Sequence, residues 1–494
     1  MYFLAEDPPW RCTKPYRDNH QDILFDKHNI TRQFCKQHSG IIESDSDLFD
    51  KRCELPSTDW EFIVKDPTTY SLVTEYNLYC SKSETLSLAH SAFFIGSSVA
   101  SLFLGFFADH YGRKYTFCAL AVVMFALAVF TSFVTAVWQL ILVRTLLGAT
   151  GSGCMSIMYV LAVEFVLPEH RAFTSNLIQI SYATAIFNLT LVAYLCREWR
   201  RIALYTALPT AVAFLSFALY RSPRWLHYKR RFEDAENILQ RMSAFNKHPM
   251  DVHFDPSSES RKRNNYSILD CFKYKKTAVI VVIITFTQYF GGVVYYTMYL
   301  EFNRIGGSPY LVLALAALAD FPALVLASYF PDKYGRKKSF VASYFLLVVC
   351  VLPILFTPEQ YGHVVLVRIS SAVAVKVFFS CAADILILWT LEIFPTAVRT
   401  QGVVITQMGF RIGAGTASFI VEFLRGLNYV APFLAIVFLA VCGVLLSLFL
   451  PETLGKPTRE DFEDFFSDNL VVERSGNTDP DDTEDEAPGD HPEV

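Results

Sequence analysis

Charged side chains inside otherwise apolar stretches are where this sequence could do chemistry. Arg411 sits in the middle of residues 403–423, in the run GFRIGAG. A guanidinium at that depth costs about 2.5–3.5 kcal/mol on insertion scales, so it is kept where it has work to do. Its planar fork of N–H donors suits a carboxylate or sulfate in a low-dielectric cavity. The competing reading is an arginine neutralised by a structural acid such as Glu422 or Asp384. Lys376 stands 16 residues before Glu392, with Asp384 two turns further along at i+8. It reads first as a structural or gating charge and second as a substrate contact. Asp320 opens the run DFPAL, and Arg144, in RTLLGATGSG, reads as a stabiliser of a helical bundle.

Aromatic residues surround these charges. In QYFGGVVYY, Gln288 and Tyr295 are spaced i, i+7, as are Tyr289 and Tyr296, so each pair shares a helix face. Gly291 and Gly292 between them allow bending or close packing. Tyr159, Phe378, Phe379 and Trp389 add further rings. Flat rings can hold the apolar body of an organic ion while one charge fixes its polar end; for any single ring the alternative is helix packing or lipid contact. No Walker-type glycine loop, zinc-type His/Cys spacing or Gly-x-Ser-x-Gly elbow is present. An enzyme or an ATP-driven pump is therefore not expected, nor a metal or cofactor, and energy would come from a gradient.

A second set of charges is written twice. ADHYGRK at 108–114 returns as PDKYGRK at 331–337, 223 positions on. Glu164 with Arg171 (EFVLPEHR) returns as Glu392 with Arg399 (EIFPTAVR), 228 positions on, and SPRWL at 222–226 has its counterpart in PETLG at 451–455. Three signatures in the same order mean two homologous halves of like orientation, a parallel repeat with a substrate path between them.

The elements that must position these residues are helices in lipid. Of the 494 residues 52% are hydrophobic and 18% charged, unusual for a soluble domain. Eleven near-uncharged stretches have the length of a membrane span: 87–108, 115–136, 138–161, 174–195, 202–220, 277–300, 310–330, 339–357, 363–390, 403–423 and 431–450. Backbone groups in lipid must be satisfied internally, and such long segments are helices rather than barrel strands. The fold class is an all-α polytopic membrane protein of two pseudo-symmetric bundles. The loop 221–276 carries 13 Lys and Arg, which places it and both YGRK runs on the cytoplasmic side; CREWRR at 196–201 is the exception. The expected division is an extracellular cysteine-containing region over 1–86, bundles over 87–220 and 277–450 separated by the cytoplasmic loop, and an acidic cytoplasmic tail over 451–494. From Thr458 that tail holds 14 acids against two bases. The bilayer and a small organic ion are the expected partners, and nucleic acid is not.

These residues resemble the major facilitator superfamily. Gly105, Asp109, Gly112, Arg113 and Lys114 match its Gly-x-x-x-Asp-x-x-Gly-Arg-Lys pattern, and Asp332, Gly335, Arg336 and Lys337 give a second copy with Ser328 in place of the leading glycine. The resemblance makes these, with Glu164, Arg171, Glu392 and Arg399, the charges that break and reform as the halves rock, and Arg144 the buried arginine of the family's fourth helix. Within the superfamily the chain is similar to the organic ion transporters of the plasma membrane. Their outside loop closes in Glu-Trp-Asp-Leu-Val-Cys, matched here by Glu75, Leu78 and Cys80 with Tyr76 and Asn77 between. The likeness implies two disulfides among Cys12, Cys35, Cys53 and Cys80, in any of three pairings, and a glycosylation site at Asn29, with the sequons at Asn188 and Asn265 silent. It also makes Arg411 a mark of the anion-carrying branch, which has Arg where the cation branch has Asp. Asp320-Phe321-Pro322-Ala323 resembles the anion branch's Asp-x-Pro-Ala, but Leu324 replaces the lysine expected next, which keeps a cation, carnitine-like or zwitterion cargo open. Tyr159 matches an aromatic family position, and Arg221 stands where the family has Glu before Ser-Pro-Arg. The family has twelve helices, so one more is expected upstream of Met1; a chain truly lacking it would read instead as a non-transporting receptor or regulatory partner.

Overall fold

The computed structural model describes residues 10–12, 53, 55, 60–63, 71–166, 171–218, 220–247, 272, 275–302, 305, 308–357, 362–394, 399–428 and 430–455. A two-stranded antiparallel ribbon pairs β1 (Trp10–Cys12) with β2 (Trp60–Phe62), and α1 (Leu72–Tyr76) follows. The first bundle is α2 (Ser83–Tyr111), α3 (Arg113–Thr131), α4 (Val137–Phe165), α5 (Arg171–Cys196) and α6 (Trp199–Ala207), which runs on as 3-10 turns over Leu208–Ala218. Two short helices, α7 (Pro223–Tyr228) and α8 (Phe232–Phe245), lie in the long loop. The second bundle is α9 (Lys275–Glu301), α10 (Pro309–Leu318), α11 (Asp320–Tyr334), α12 (Arg336–Phe356), α13 (Gly362–Ile393), α14 (Arg399–Arg425) and α15 (Ala431–Ser447).

Among the described residues ten helical segments are long and apolar enough to cross a membrane, and α15 is a shorter eleventh. They coincide with the eleven stretches read from the sequence, with two local departures. Pro322 has no N–H to give the Leu318 carbonyl, and the helix breaks at Ala319 into α10 and α11; Pro209 likewise accompanies the change from α6 to 3-10 turns. Large side chains such as Phe103, Leu195, Phe438 and Phe449 remain exposed on the bundle surface. In lipid that surface faces hydrocarbon, so apolar residues lie on both sides of each helix and the amphipathic signal is weak.

Glycines set the closest crossings. A Cβ on Gly96 would overlap the Thr145 carbonyl, and one on Gly148 would overlap the Phe93 carbonyl, so α2 and α4 meet backbone to backbone. In the second half Gly292, Gly409 and Gly413 do the same for α9 and α14. We expect Gly148→Val to cut the yield of monodisperse protein in detergent roughly tenfold, because backbone on each side leaves the new atoms no room. Gly151→Ala, with Met124 Sδ at 3.9 Å as its near neighbour, should keep the wild-type yield.

The halves meet where α2 packs on α14 and α5 packs on α10 and α11. At one end of this seam α1 is pinned down. Glu75 accepts from Trp199 Nε1 at 2.6 Å and from Arg200 at 2.5 Å, Arg200 also donates to the Ser132 carbonyl at 2.7 Å, and the Tyr76 hydroxyl donates to the Val134 carbonyl at 2.9 Å. Burial, then the neighbouring Glu75 charge, push the Tyr76 phenol above its ordinary value. Arg201 pairs with Glu198, and Arg197 stands over the Tyr194 ring. The three arginines of CREWRR are thus held by local partners.

Candidate functional site

Lys376 on α13 is 1% exposed. It pairs with Asp320, the first residue of α11, a helix position at which the dipole favours a carboxylate. Ser380 completes a triangle: Lys376 Nζ donates to its Oγ at 2.7 Å, and that hydroxyl donates to Asp320 Oδ1 at 2.7 Å. The ammonium lies 5.0 Å from the Tyr295 ring centroid and 6.0 Å from that of Tyr299. Tyr295 in turn packs against Phe379 at 5.3 Å and Phe410 at 5.9 Å. Four residues singled out in the sequence, Asp320, Tyr295, Lys376 and Phe379, therefore form one cluster. Ser380 was not among them, since a serine in a helix carries no signal until its neighbours are known.

Arg411 makes no ion pair among the described residues. Its Nη1 donates to the Ser97 carbonyl of α2 at 3.2 Å, across the seam. The two acids weighed as its partners are engaged elsewhere. Glu422 accepts from Ser87 at 2.5 Å, and Asp384 accepts from Gln179 Nε2 of α5 at 3.0 Å. Asp384 follows Lys376 by eight residues, yet Asp320 is the acid that pairs with the lysine.

The remaining ring and amide positions divide. Gln288 is buried with its Nε2 lacking a hydrogen-bond partner among the described residues. Tyr289 receives the Thr416 hydroxyl at 3.2 Å, tying α9 to α14. Tyr296 meets Phe94 of the other half edge-on at 4.5 Å. Tyr159 is half-buried on α4. Trp389 is fully buried and donates to the Pro451 carbonyl at 2.8 Å, so it belongs to packing rather than to the path.

The contacts between halves run from one end of the seam toward its middle. Tyr194 meets Tyr310 at 5.6 Å, Ser87 meets Glu422, Ser91 bonds the Gly415 carbonyl, Ser97 meets Arg411, Tyr182 lies 3.4 Å from the Tyr295 hydroxyl, and Gln179 meets Asp384. At 1.5 Å per residue, Gln179 lies about 12 Å from the Arg171 end of α5. These contacts run from the end beside α1 to the Gln179–Asp384 bond at mid-seam, and the opposite end carries both YGRK turns.

At that opposite end the repeated charges are paired within each half. Arg336 forks onto Glu392 at 2.9 and 2.7 Å and lies 3.1 Å from Asp332, while Arg113 pairs with Glu164. Gly112 and Gly335 turn the chain with φ of 97° and 98°, a region costly for other residues. Glu452 of PETLG caps α12, accepting from the N–H groups of Arg336 at 3.0 Å and Lys337 at 3.1 Å, and Lys337 Nζ donates to the Leu448 and Leu450 carbonyls. In the first half Arg221 lies 4.8 Å from the Tyr115 ring centroid and bonds its hydroxyl, which is how that loop holds an arginine without an acid; Lys114 lines the same turn. Arg144 of α4 lies within electrostatic reach of His90 of α2. Gly105, Asp109, Arg171 and Arg399 fall in helices, but what their side-chain positions meet lies outside the described residues. Cys53 and Cys80 form a disulfide with Cα atoms 5.3 Å apart, which chooses among the pairings left open, and Cys12 is disulfide-bonded too. Cys35 and Asn29 lie outside the described residues.

Burial pushes the Glu452 carboxyl up, but the N–H groups of Leu454, Arg336, Lys337 and Thr453 outweigh it and hold the carboxyl below its ordinary value. The sign follows: a depressed carboxyl contributes stability above its unfolded value, about pH 4.3, which is lost as pH falls through the folded value. We expect acid to lower the thermal stability of the wild type more than that of Glu452→Gln over this window, measured as apparent Tm.

A family model described as sugar (and other) transporter matches residues 56–465, most of the chain. The chain belongs to that family. Its fold agrees: the proton:xylose symporter XylE bound to 6-bromo-6-deoxy-D-glucose superposes with a TM-score of 0.62 at 19% identity, covering 80% of this chain and 92% of that one. An inward open structure of XylE from E. coli gives 0.62 at 18% identity, covering 79% and 91%. The fold is thus the helical major facilitator fold, and the protein is a multi-pass membrane transporter rather than an enzyme. Among curated relatives, solute carrier family 22 member 15-like of Xenopus laevis is 28% identical over 82% of this chain and 84% of its own. Solute carrier family 22 member 4 of Mus musculus is 29% identical over 94% and 88%. The organic cation transporter protein of Drosophila melanogaster is 26% identical over 94% and 87%. These names bear out the resemblance read from the motifs.

Proposed function

We propose that this transporter moves small organic ions across the plasma membrane by rocking its two halves about the Lys376 and Arg411 region, with organic anions preferred. The 221–276 loop and the C-terminus then face the cytoplasm and residues 1–86 the exterior. One observation carries the preference: Arg411 lies mid-span on α14 with a single carbonyl bond and no acid beside it among the described residues. A guanidinium has five N–H donors, so most of its fork remains to read a carboxylate or sulfate once the seam opens. Lys376 does not compete for that role, because Asp320 already neutralises it. The rings of Tyr295, Tyr296, Phe94 and Phe379 supply flat apolar contacts for the body of the cargo.

A second reading, an organic cation, is supported by the tyrosines grouped around the site, whose ring faces attract cations, and by the cation-transporter name of the Drosophila relative. Paired uptake decides. Cells expressing the full chain should accumulate a radiolabelled aromatic carboxylate, with trans-stimulation by the unlabelled compound, more than a tetraalkylammonium. The reverse ranking favours the cation reading, and binding without flux in either case would overturn transport by this chain.

A further inference from the structure

Asp384 adds one negative charge beyond what its surroundings neutralise. Lys376, the cation of this cluster, is taken by Asp320 and Ser380. What meets the Asp384 carboxylate is the neutral amide of Gln179 at 3.0 Å. Among the described residues the charged groups within its electrostatic reach are Asp320 on α11 and Lys376 on its own helix, which leaves one excess carboxylate. An uncompensated charge at membrane depth is costly and marks function. The Gln179 bond also joins α5 of one half to α13 of the other. It is the contact nearest the YGRK end among the cross-half contacts described above, and Asp384 is half-buried there.

We propose that Asp384 is a proton-binding site of the transport cycle, whose protonation loosens the Gln179 clasp and lets the YGRK end open. This rests on the transport reading above. The amide N–H of Gln179 donates to an ionised carboxylate in a charge-assisted bond; once the carboxyl carries a proton both partners are neutral, and such a bond is about half as strong. The proton comes from the solution on the YGRK side and returns to it, and no covalent bond other than the O–H changes. The other titratable groups nearby are Cys381 on α13, within electrostatic reach of Asp384, and Tyr182 on α5 and Tyr299 on α9, within that of Asp320, with Tyr295 beside them; thiols and phenols ordinarily titrate above about pH 8. On α14, Arg411 stays charged, and Glu422 faces Ser87 toward the other end. Asp320 has its cation in contact.

Spin labels at Tyr111→Cys and Tyr334→Cys, on the exposed YGRK ends of α2 and α11, report the opening. The full chain is placed in lipid nanodiscs, with the chain lacking both substitutions as the background control, and label separations are measured at about pH 5.5 and about pH 7.5, a range in which the thiols, phenols and guanidinium near this site do not titrate. The ratio of long to short separations should rise roughly fivefold at the lower pH, the difference between a charge-assisted and a neutral hydrogen bond. Asp384→Asn should show the low-pH distribution at both values, and so should Gln179→Leu. A wild-type ratio indifferent to pH overturns the inference, as does a pH response that survives Asp384→Asn, including one that vanishes in Asp320→Asn instead. Two populations that ignore pH sink the proton site alone, whereas one fixed separation in every variant at both values counts against the rocking transport it rests on as well.

Discussion

Arg411→Asp is expected to abolish uptake of an aromatic carboxylate while leaving the amount of protein at the cell surface unchanged. Among the described residues the guanidinium is held by one bond to the Ser97 carbonyl and by no acid, so its removal breaks no ion pair among them. A hydrogen bond to a charged group contributes about 1.5–3 kcal/mol, and losing a two-pronged contact while adding a repelling carboxylate should lower uptake by roughly 100-fold. Arg411→Lys keeps the charge but not the fork, and should retain a fraction of the rate with a raised KM. Undiminished carboxylate uptake in Arg411→Asp would remove Arg411 from the substrate path. A gain of tetraalkylammonium uptake in the same variant would instead show that this side chain sets the sign of the cargo.

Much of the architecture could be read from residues because lipid imposes strict demands. Stretches without charge, about 20 residues long, have few other uses, and the paired YGRK, Glu/Arg and Pro signatures gave the two-half repeat directly. The pairing of Arg336 with Glu392 and of Arg113 with Glu164 follows the same logic, since opposite charges repeated at offsets of 223 and 228 sit at equivalent places in both halves. What sequence reading could not supply was the choice of partner. Lys376 had Asp384 on its own helix and took Asp320 from another; Arg411 had two candidate acids and took neither. Helical periodicity ranks neighbours within an element, whereas these partners come from elements 56 and 314 positions away. The role of Glu452 was hidden for a related reason. PETLG was legible as a repeat mark, but that its carboxylate caps α12 depends on where the chain returns after α15.

The second large effect concerns that choice of partner. Asp320→Ala should destabilise the protein severely, because it leaves Lys376, 1% exposed, with a serine in place of its counter-charge. Stripping one partner from a buried ion pair costs about 3–5 kcal/mol, which corresponds to a fall in apparent Tm of roughly 5 °C or more for a fold of this size. Replacing both partners by apolar residues, as in Asp320→Ala with Lys376→Met, removes the uncompensated charge and should restore most of that loss, since buried pairs exchanged for hydrophobic residues are often neutral in stability. Apparent Tm across the cycle of four proteins gives the coupling, and additivity would show that the lysine and the aspartate are not partners in the folded protein. Uptake by the restored double variant then separates two roles that stability alone cannot. A stable and active double variant makes the pair a strut that sets the packing of α11 on α13, whereas a stable but inactive one means that its charges are needed as the halves rock.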